Sequence, residues 1–277
     1  MSDDRIPVVI AGGGTVGSAM AAFLADHGIV SLVAEAEATP SIHPRATGLG
    51  RRTMEILRQA GLAEQVGALA VDLAGSMGKI SAPTLASADL SATPRRHGRT
   101  ELPPTRQSRL GPVELSASCP QNRLDAVLSS AARKGGAAVV HLTRLRSFSQ
   151  DDIGVTSVLD CPDGTRSVRS DYLIGADGAR SGVRDALEIG TSGPSGLGRP
   201  MINVLFHADL DAYTAGRRFA GCDITTPEAP GMLVTVGGAT NWIFHTAAES
   251  IAGRARQLTP RRCRELIRAA VGIRTST

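Results

Sequence analysis

The chain has 277 residues, 42% of them hydrophobic, enough for one large or two modest domains with real cores. No apolar run approaches the roughly 20 residues of a membrane span, and the acidic start Met1-Ser2-Asp3-Asp4 lacks a secretory signal's basic and apolar segments, so the expected location is cytoplasmic. The pI of about 9.2 does not point to nucleic acid: only Lys79 and Lys134 are lysines, the arginines are scattered among acids, and aromatics make up 3%.

Val8 to Ala11 is a short apolar run of the kind that forms a buried parallel strand. Gly12, Gly14 and Gly17 follow at G-x-G-x-x-G spacing. The first permits a tight turn, the second lets a pyrophosphate approach the backbone, and the third lets a helix pack closely. Val16, Met20, Phe23, Leu24 and His27 then recur at helical spacing, predicting one packed face, and His27-Gly28 reads as the stop. Ser31 to Ala34 predicts a second strand ending in Glu35, where a carboxylate can accept from ribose hydroxyls. That acid would repel a 2′-phosphate, which disfavours NADP in this site and leaves NAD or FAD.

Arg52 to Ala60 reads as a helix closed by Gly61, and Ala82 to Pro112 as an irregular excursion. Asn122 to Lys134 is an amphipathic helix with Leu124, Val127, Leu128 and Ala131 on one face, closed by Gly135-Gly136. A strand follows at Ala137 to Leu142. Val155 to Leu159 and Arg166 to Val168 flank Pro162-Asp163-Gly164 as a hairpin. Leu173-Ile174 is a further buried strand leading into Ala176-Asp177-Gly178, where Asp177 can cap a helix over Arg180 to Leu187.

Thr191 to Gly198 reads as a linker, and strand-like runs follow at Asn203 to Ala208, Met232 to Val236 and Trp242 to Thr246, with Gly237-Gly238 turning between the last two. Five of the eight aromatics fall in this part and read as sheet core, while His207 and His245 read as core or rim without a catalytic role. A last helix starts at Pro260 and sets Cys263, Leu266, Ile267, Ala270 and Val271 on one face. The cysteines, Cys119, Cys161, Cys222 and Cys263, show no metal-ligand spacing and read as reduced thiols, so no metal is expected.

Four ordered elements carry a family resemblance: Gly12-Gly13-Gly14-Thr15-Val16-Gly17 with Glu35; His43-Pro44-Arg45-Ala46-Thr47-Gly48-Leu49; Cys119-Pro120-Gln121-Asn122-Arg123-Leu124; and Gly175-Ala176-Asp177-Gly178-Ala179-Arg180-Ser181. With these the chain resembles the class A FAD-dependent aromatic hydroxylases, in the branch acting on polyketides and phenols. The resemblance implies an α/β chain: a Rossmann-like FAD-binding domain of the p-hydroxybenzoate hydroxylase fold over 1–75 and 100–190. An inserted, mostly antiparallel β substrate domain would cover 76–99 and 191–277.

The resemblance also implies roles. Gly12, Gly14, Thr15, Val16 and Gly17 would hold the FAD pyrophosphate, Glu35 and Ala36 the adenosine ribose, and Leu145 the adenine side. Arg45 would reach the flavin and phosphates, Gln121 the flavin side, and Asp177 the pyrophosphate and the nicotinamide approach. Read from the residues alone, Arg45 has the alternative of being one surface arginine among many, against which its His-Pro-Arg-Ala setting favours function, and Gln121 is equally a helix start. The implied reaction is monooxygenation of a small aromatic substrate with O2, NAD(P)H being a transient co-substrate and a flavin hydroperoxide the oxygen donor. The family continues with a Gly-Asp element, and these 277 residues contain no Gly-Asp dipeptide. A truncated chain is therefore expected, with weak or no FAD binding unless a partner completes it. A non-catalytic remnant is the alternative, and the oligomeric state is left open.

Overall fold

The computed structural model describes residues 5–71, 77–91, 117–194, 198–237, 240–248 and 259–273. In chain order its elements are β1 (Ile6–Ala11), α1 (Thr15–Asp26), β2 (Ser31–Ala34), β3 (Gly48–Leu49), α2 (Arg51–Gln59), α3 (Ala63–Ala68), β4 (Lys79–Ala82), β5 (Ala117–Ser118) and α4 (Gln121–Lys134). There follow β6 (Ala138–Val140), β7 (Arg144–Asp151), β8 (Gly154–Cys161), β9 (Gly164–Gly175), α5 (Gly182–Ala186), β10 (Met201–His207), α6 (Asp211–Thr214), β11 (Gly221–Ile224), β12 (Gly231–Gly237), β13 (Asn241–Ala247) and α7 (Pro260–Val271). They divide into two compact units, Met1–Ala70 with Leu115–Gly193, and Val71–Glu114 with Pro194–Thr277.

The first unit is built on a mixed sheet ordered β6-β2-β1-β9-β8-β7. β6, β2, β1 and β9 run parallel, and β8 and β7 extend the sheet as an antiparallel meander. The hairpin at Pro162-Asp163 is present, with Cys161 opposite Gly164. The two runs expected at Arg166 to Val168 and Leu173-Ile174 are one strand. β9 changes partner along its length, and Ser170 stands opposite both Val155 of β8 and Ile6 of β1.

Met20 and Leu24 of the expected α1 face pack, partly buried, against the core, but the most buried residues of the helix are others. Its buried residues are Gly17, Ser18, Ala21 and Ala22, while Val16 is 68% exposed. The cause is close approach: a Cβ on Gly17 would lie 1.9 Å from the Gly12 carbonyl oxygen, and one on Gly135 would lie 2.4 Å from Ala25 Cβ. Only small residues fit there, so size rather than hydrophobicity selects the face. Val8, Ile10, Val33, Ala21 and Ala132 form the core between α1, α4 and the sheet.

The second unit holds a five-stranded sheet ordered β10-β13-β12-β11-β4, antiparallel except for β4 beside β11. One face buries Phe219, Trp242 and Phe244 under Leu266, Ala270 and Val271 of α7, the helix expected from Pro260. Phe219 and Trp242 are tilted rings with centroids 5.7 Å apart. His245 pairs with Asn203 and His207 with Asn241, so both histidines are rim residues of β13 and β10. Within the expected excursion, Leu85–Ser87 forms a 3-10 turn with Leu85 fully buried. Residues 92–112 of it, 195–197 of the linker and Gly238 lie outside the described residues.

Candidate functional site

Three strand ends converge beyond the carboxyl edge of the parallel strands. Gly12 N donates to Ala34 O and Ala176 N donates to Ala11 O, both at 2.8 Å, so the chain leaves β1 tied to β2 and β9. Glu35 N donates to Val140 O, and Thr143 N donates to Glu35 O, both at 2.9 Å, which ties the end of β2 to the β6–β7 connection. In open α/β sheets ligands bind in the crevice at this edge.

A cavity of about 430 Å³ opens there, within the roughly 300–1,000 Å³ of ordinary ligand pockets. Gly12, Gly14, Glu35, Ala36, Leu145 and Asp177 of the expected residues line it. Glu37, Thr143, Arg144 and Arg180 also line it and were missed from sequence. Arg180 lies inside the Asp-Gly element, which could have flagged it. Glu37 and Arg144 carry no local signal, because the strand ends that bring them together are distant in sequence.

The glycines there serve different ends. Gly12 has φ +99, and a Cβ on it would lie 2.5 Å from Ala176 O. Gly14 is the opposite case: nothing lies within 4 Å of where its Cβ would be, and it lines the cavity. Glu35 is held by two backbone donors, Gly13 N to Oε2 at 2.6 Å and Glu37 N to Oε1 at 2.8 Å. Both oxygens keep lone pairs for a further donor.

Asp177 Oδ2 accepts from Val183 N at 3.1 Å, so it does cap α5, together with Ser181, whose hydroxyl accepts from Arg184 N at 3.0 Å. Burial pushes the Asp177 carboxyl up, but the Ser181 hydroxyl and the backbone N–H groups of Val183 and Gly182 outweigh it and hold the carboxyl below its ordinary value. Its other oxygen, Oδ1, is buried without a partner among the described residues.

The remaining expected residues do not line this cavity. Val16 is exposed, and Gly17 is buried against the Gly12 turn. Thr15 and Gln121 form a second cluster at the α1 N-terminus. Gln121 Nε2 donates to Thr15 Oγ1 at 2.9 Å, and Gln121 N donates to Ala46 O at 2.9 Å, docking the Arg45 loop on the start of α4. Thr15 Oγ1 donates in turn to Asp125 Oδ1 at 2.5 Å. Burial raises the proton affinity of Asp125, opposed by hydrogen bonds from Thr15 and Gln121 and by the Arg45 charge. The first turn of α1 carries no acid and Gly14 supplies no side-chain cap, which leaves its N–H groups and positive dipole end for an anion.

Among the described residues no group of His, Cys, Asp or Glu could hold a metal ion, and no helix is long and apolar enough to cross a membrane.

A mixed sheet with a glycine turn, a helix N-terminus and an acid around one crevice defines an α/β dinucleotide-binding protein, here of the p-hydroxybenzoate hydroxylase type. The chain belongs to the FAD binding domain family, whose model matches residues 5–277. It is 37% identical over 97% of its length to a tetracenomycin B2 monooxygenase-dioxygenase of Streptomyces olivaceus, and covers 51% of that protein. Two solved structures are similar. One is the flavin-dependent monooxygenase PieE with FAD and substrate, at a TM-score of 0.82 and 29% identity over 98% of this chain and 48% of that one. The other is aklavinone-11 hydroxylase with FAD and aklavinone, at a TM-score of 0.78 and 32% identity over 98% of this chain and 51% of that one. The chain thus spans about half the length of the proteins it matches.

Proposed function

We propose that this chain is the cofactor-binding and substrate-domain portion of an FAD-dependent monooxygenase that hydroxylates an aromatic polyketide or phenol, with NAD(P)H and O2 as co-substrates. The observation that carries this reading is the pairing of Glu35 with the Gly12–Gly14 turn across one cavity. The residues present fit FAD: open space at Gly14 for a pyrophosphate, a helix N-terminus with no competing acid, and a carboxylate for ribose hydroxyls.

Each residue has a binding or orienting task. Gly14 and the first N–H groups of α1 take the pyrophosphate charge. Glu35 accepts the adenosine ribose hydroxyls, and Ala36 and Leu145 line the adenine end. The unpartnered Asp177 Oδ1 accepts a hydroxyl hydrogen bond from the ligand. Arg45 and Gln121 serve the flavin side. FAD, when bound, supplies the redox and oxygen-transfer chemistry, so little acid–base work is asked of the protein. No catalytic side chain is assigned. The second unit, with its largely antiparallel sheet, is assigned the aromatic substrate.

The test is the visible spectrum of the purified chain after gel filtration, with and without added FAD. Flavin absorption co-eluting with compact protein, followed by oxygen-dependent NAD(P)H consumption with an aromatic substrate, supports the reading. A folded, colourless protein that FAD does not load puts the non-catalytic alternative first, and so does a loaded protein inert to reductant and O2.

A further inference from the structure

His141 follows β6, is half-buried, and does not line the cavity, although Glu35, Glu37, Thr143 and Arg144 do. Both of its ring nitrogens are nonetheless committed. Nε2 lies 3.0 Å from Nη2 of Arg133, in the last turn of α4, and Nδ1 lies 3.1 Å from the carbonyl oxygen of Glu37. A guanidinium only donates and a carbonyl only accepts, so the partners settle the tautomer. Nε2 accepts from Arg133, and Nδ1 carries the proton and donates to Glu37.

From Glu37 the hydrogen bonds run on to the glycine turn. Glu37 N donates to Glu35 Oε1 at 2.8 Å, and Gly13 N donates to Glu35 Oε2 at 2.6 Å. The imidazole thus joins the end of α4 to the carboxylate that faces the cavity. Backbone alone does this less well: Leu142 N also approaches the Glu37 carbonyl, but at 3.4 Å, long for an N–H···O bond. Leu142 has φ +53, a left-handed conformation unfavourable for a residue with a Cβ. Such strain persists only where the surroundings hold it. Here Thr143 N donates to Glu35 O and Glu35 N to Val140 O, both at 2.9 Å, and Thr143 Oγ1 donates to His141 O at 3.1 Å. The strained bend sets residues 141–143 against the end of β2.

Resting on the flavin reading above, we propose that His141 is a positioning residue for the adenosine end of the cofactor: as the Nδ1–H tautomer selected by Arg133, it pins Glu37 and, through the Glu37 N–H, aims the Glu35 carboxylate before ligand arrives. A carboxylate already oriented loses less freedom on meeting a ribose, so the gain is in affinity for ligands that carry adenosine.

The first test is the ring tautomer, read on the unliganded full chain by long-range proton–nitrogen correlation NMR. A proton on Nδ1 is expected. A ring protonated on Nε2 alone can make neither bond and overturns the proposal. The second test is titration of variants with FAD, AMP and FMN. His141→Ala should weaken FAD and AMP about tenfold, roughly the worth of one hydrogen bond, and leave FMN unmoved. His141→Asn, whose amide N–H can stand where Nδ1–H does, should recover most of that loss. An equal loss for FMN, or no recovery with Asn, would mean that the ring supports the fold generally. In a cycle with Glu35→Ala, the double variant should bind AMP no more weakly than Glu35→Ala alone. Additive losses would show that His141 does not act through Glu35. A wild-type chain that takes up neither FAD nor AMP puts the non-catalytic reading first, and the tautomer then decides the role of His141 by itself.

Discussion

Glu35 Oε2 accepts the Gly13 N–H at 2.6 Å, which makes the acid ending β2 and the glycine turn ending β1 one hydrogen-bonded unit. With Glu37 N on its other oxygen at 2.8 Å, the carboxylate is oriented before any ligand binds. Hydrogen bonds to a charged group are worth about 1.5–3 kcal/mol. Glu35→Ala should therefore weaken FAD and AMP binding together by roughly 10–100-fold. Binding of FMN, which lacks the adenosine half, should be unchanged. Calorimetric titration of the three ligands checks this, and an equal loss for FMN would remove Glu35 from the adenosine end.

Gly14 and Gly17 belong to one motif but should fail differently. A Cβ on Gly17 would overlap the Gly12 carbonyl at 1.9 Å, so α1 must shift to accept it. Gly17→Ala should cost roughly 1–3 kcal/mol of stability, the usual range for overpacking. Gly14 has φ −67 and empty space around its Cβ position. Gly14→Ala should melt like the wild type but bind FAD at least about tenfold more weakly, because the methyl stands where the pyrophosphate approaches. Thermal melts and flavin titration of the two variants separate these effects. A Gly14→Ala protein with full FAD affinity would show that the ligand does not cross this turn.

The parts legible in the sequence are those fixed by local rules. The glycine turn, Glu35, the hairpin at Pro162-Asp163 and the Pro260 helix all follow from backbone requirements within a few residues. The face of α1 was read only in part, with Met20 and Leu24 on the core, because helical periodicity weighs hydrophobicity, whereas contact at Gly12 and Gly135 selects small residues. β9 was read as two runs because its first half pairs antiparallel with the adjacent β8 and its second half parallel with the distant β1. The short strands β4 and β11 went unread because they are defined by pairing with each other across the chain. Asp125 was invisible for a similar reason: a charge on an amphipathic helix ordinarily reads as solvated, and the hydroxyl that binds it lies 110 residues away.

Cys222 of β11 is fully buried, and burial, with the Asp223 charge adding to it, pushes its thiol up to about 11. Thiolate is the reactive form, so Cys222 should resist a disulfide reagent at pH 8 in the native protein and react once it unfolds. Peptide mapping after labelling checks this. The folded thiol holds its proton more tightly than the unfolded one. Its contribution to stability is thus complete below pH 9 and is lost as pH rises toward 11. Cys222→Ala should remove that part of the alkaline destabilisation, and fast native labelling of Cys222 would contradict the packing of this sheet.

Asp177 joins the fold to the candidate site, because one oxygen caps α5 and the other is buried with no partner among the described residues. Its carboxyl is held below the ordinary value, since hydrogen bonds from Ser181, Val183 and Gly182 outweigh burial. The folded state therefore favours the ionised form. The stabilisation is present above about pH 4, the ordinary carboxylate range, and disappears as pH falls through the folded-state value. Asp177→Asn, which keeps the shape and an acceptor for Val183 N but not the charge, should lower stability at pH 7, because a backbone N–H binds a charged acceptor more strongly than a neutral one. The difference from wild type should shrink below pH 4. Urea melts at pH 7 and pH 3 measure it. A difference that does not vary with pH would mean that the charge itself contributes nothing. If the free oxygen also serves the ligand, FAD affinity should fall more in Asp177→Ala than in Ser181→Ala, because Ser181 shares the capping role and does not line the cavity.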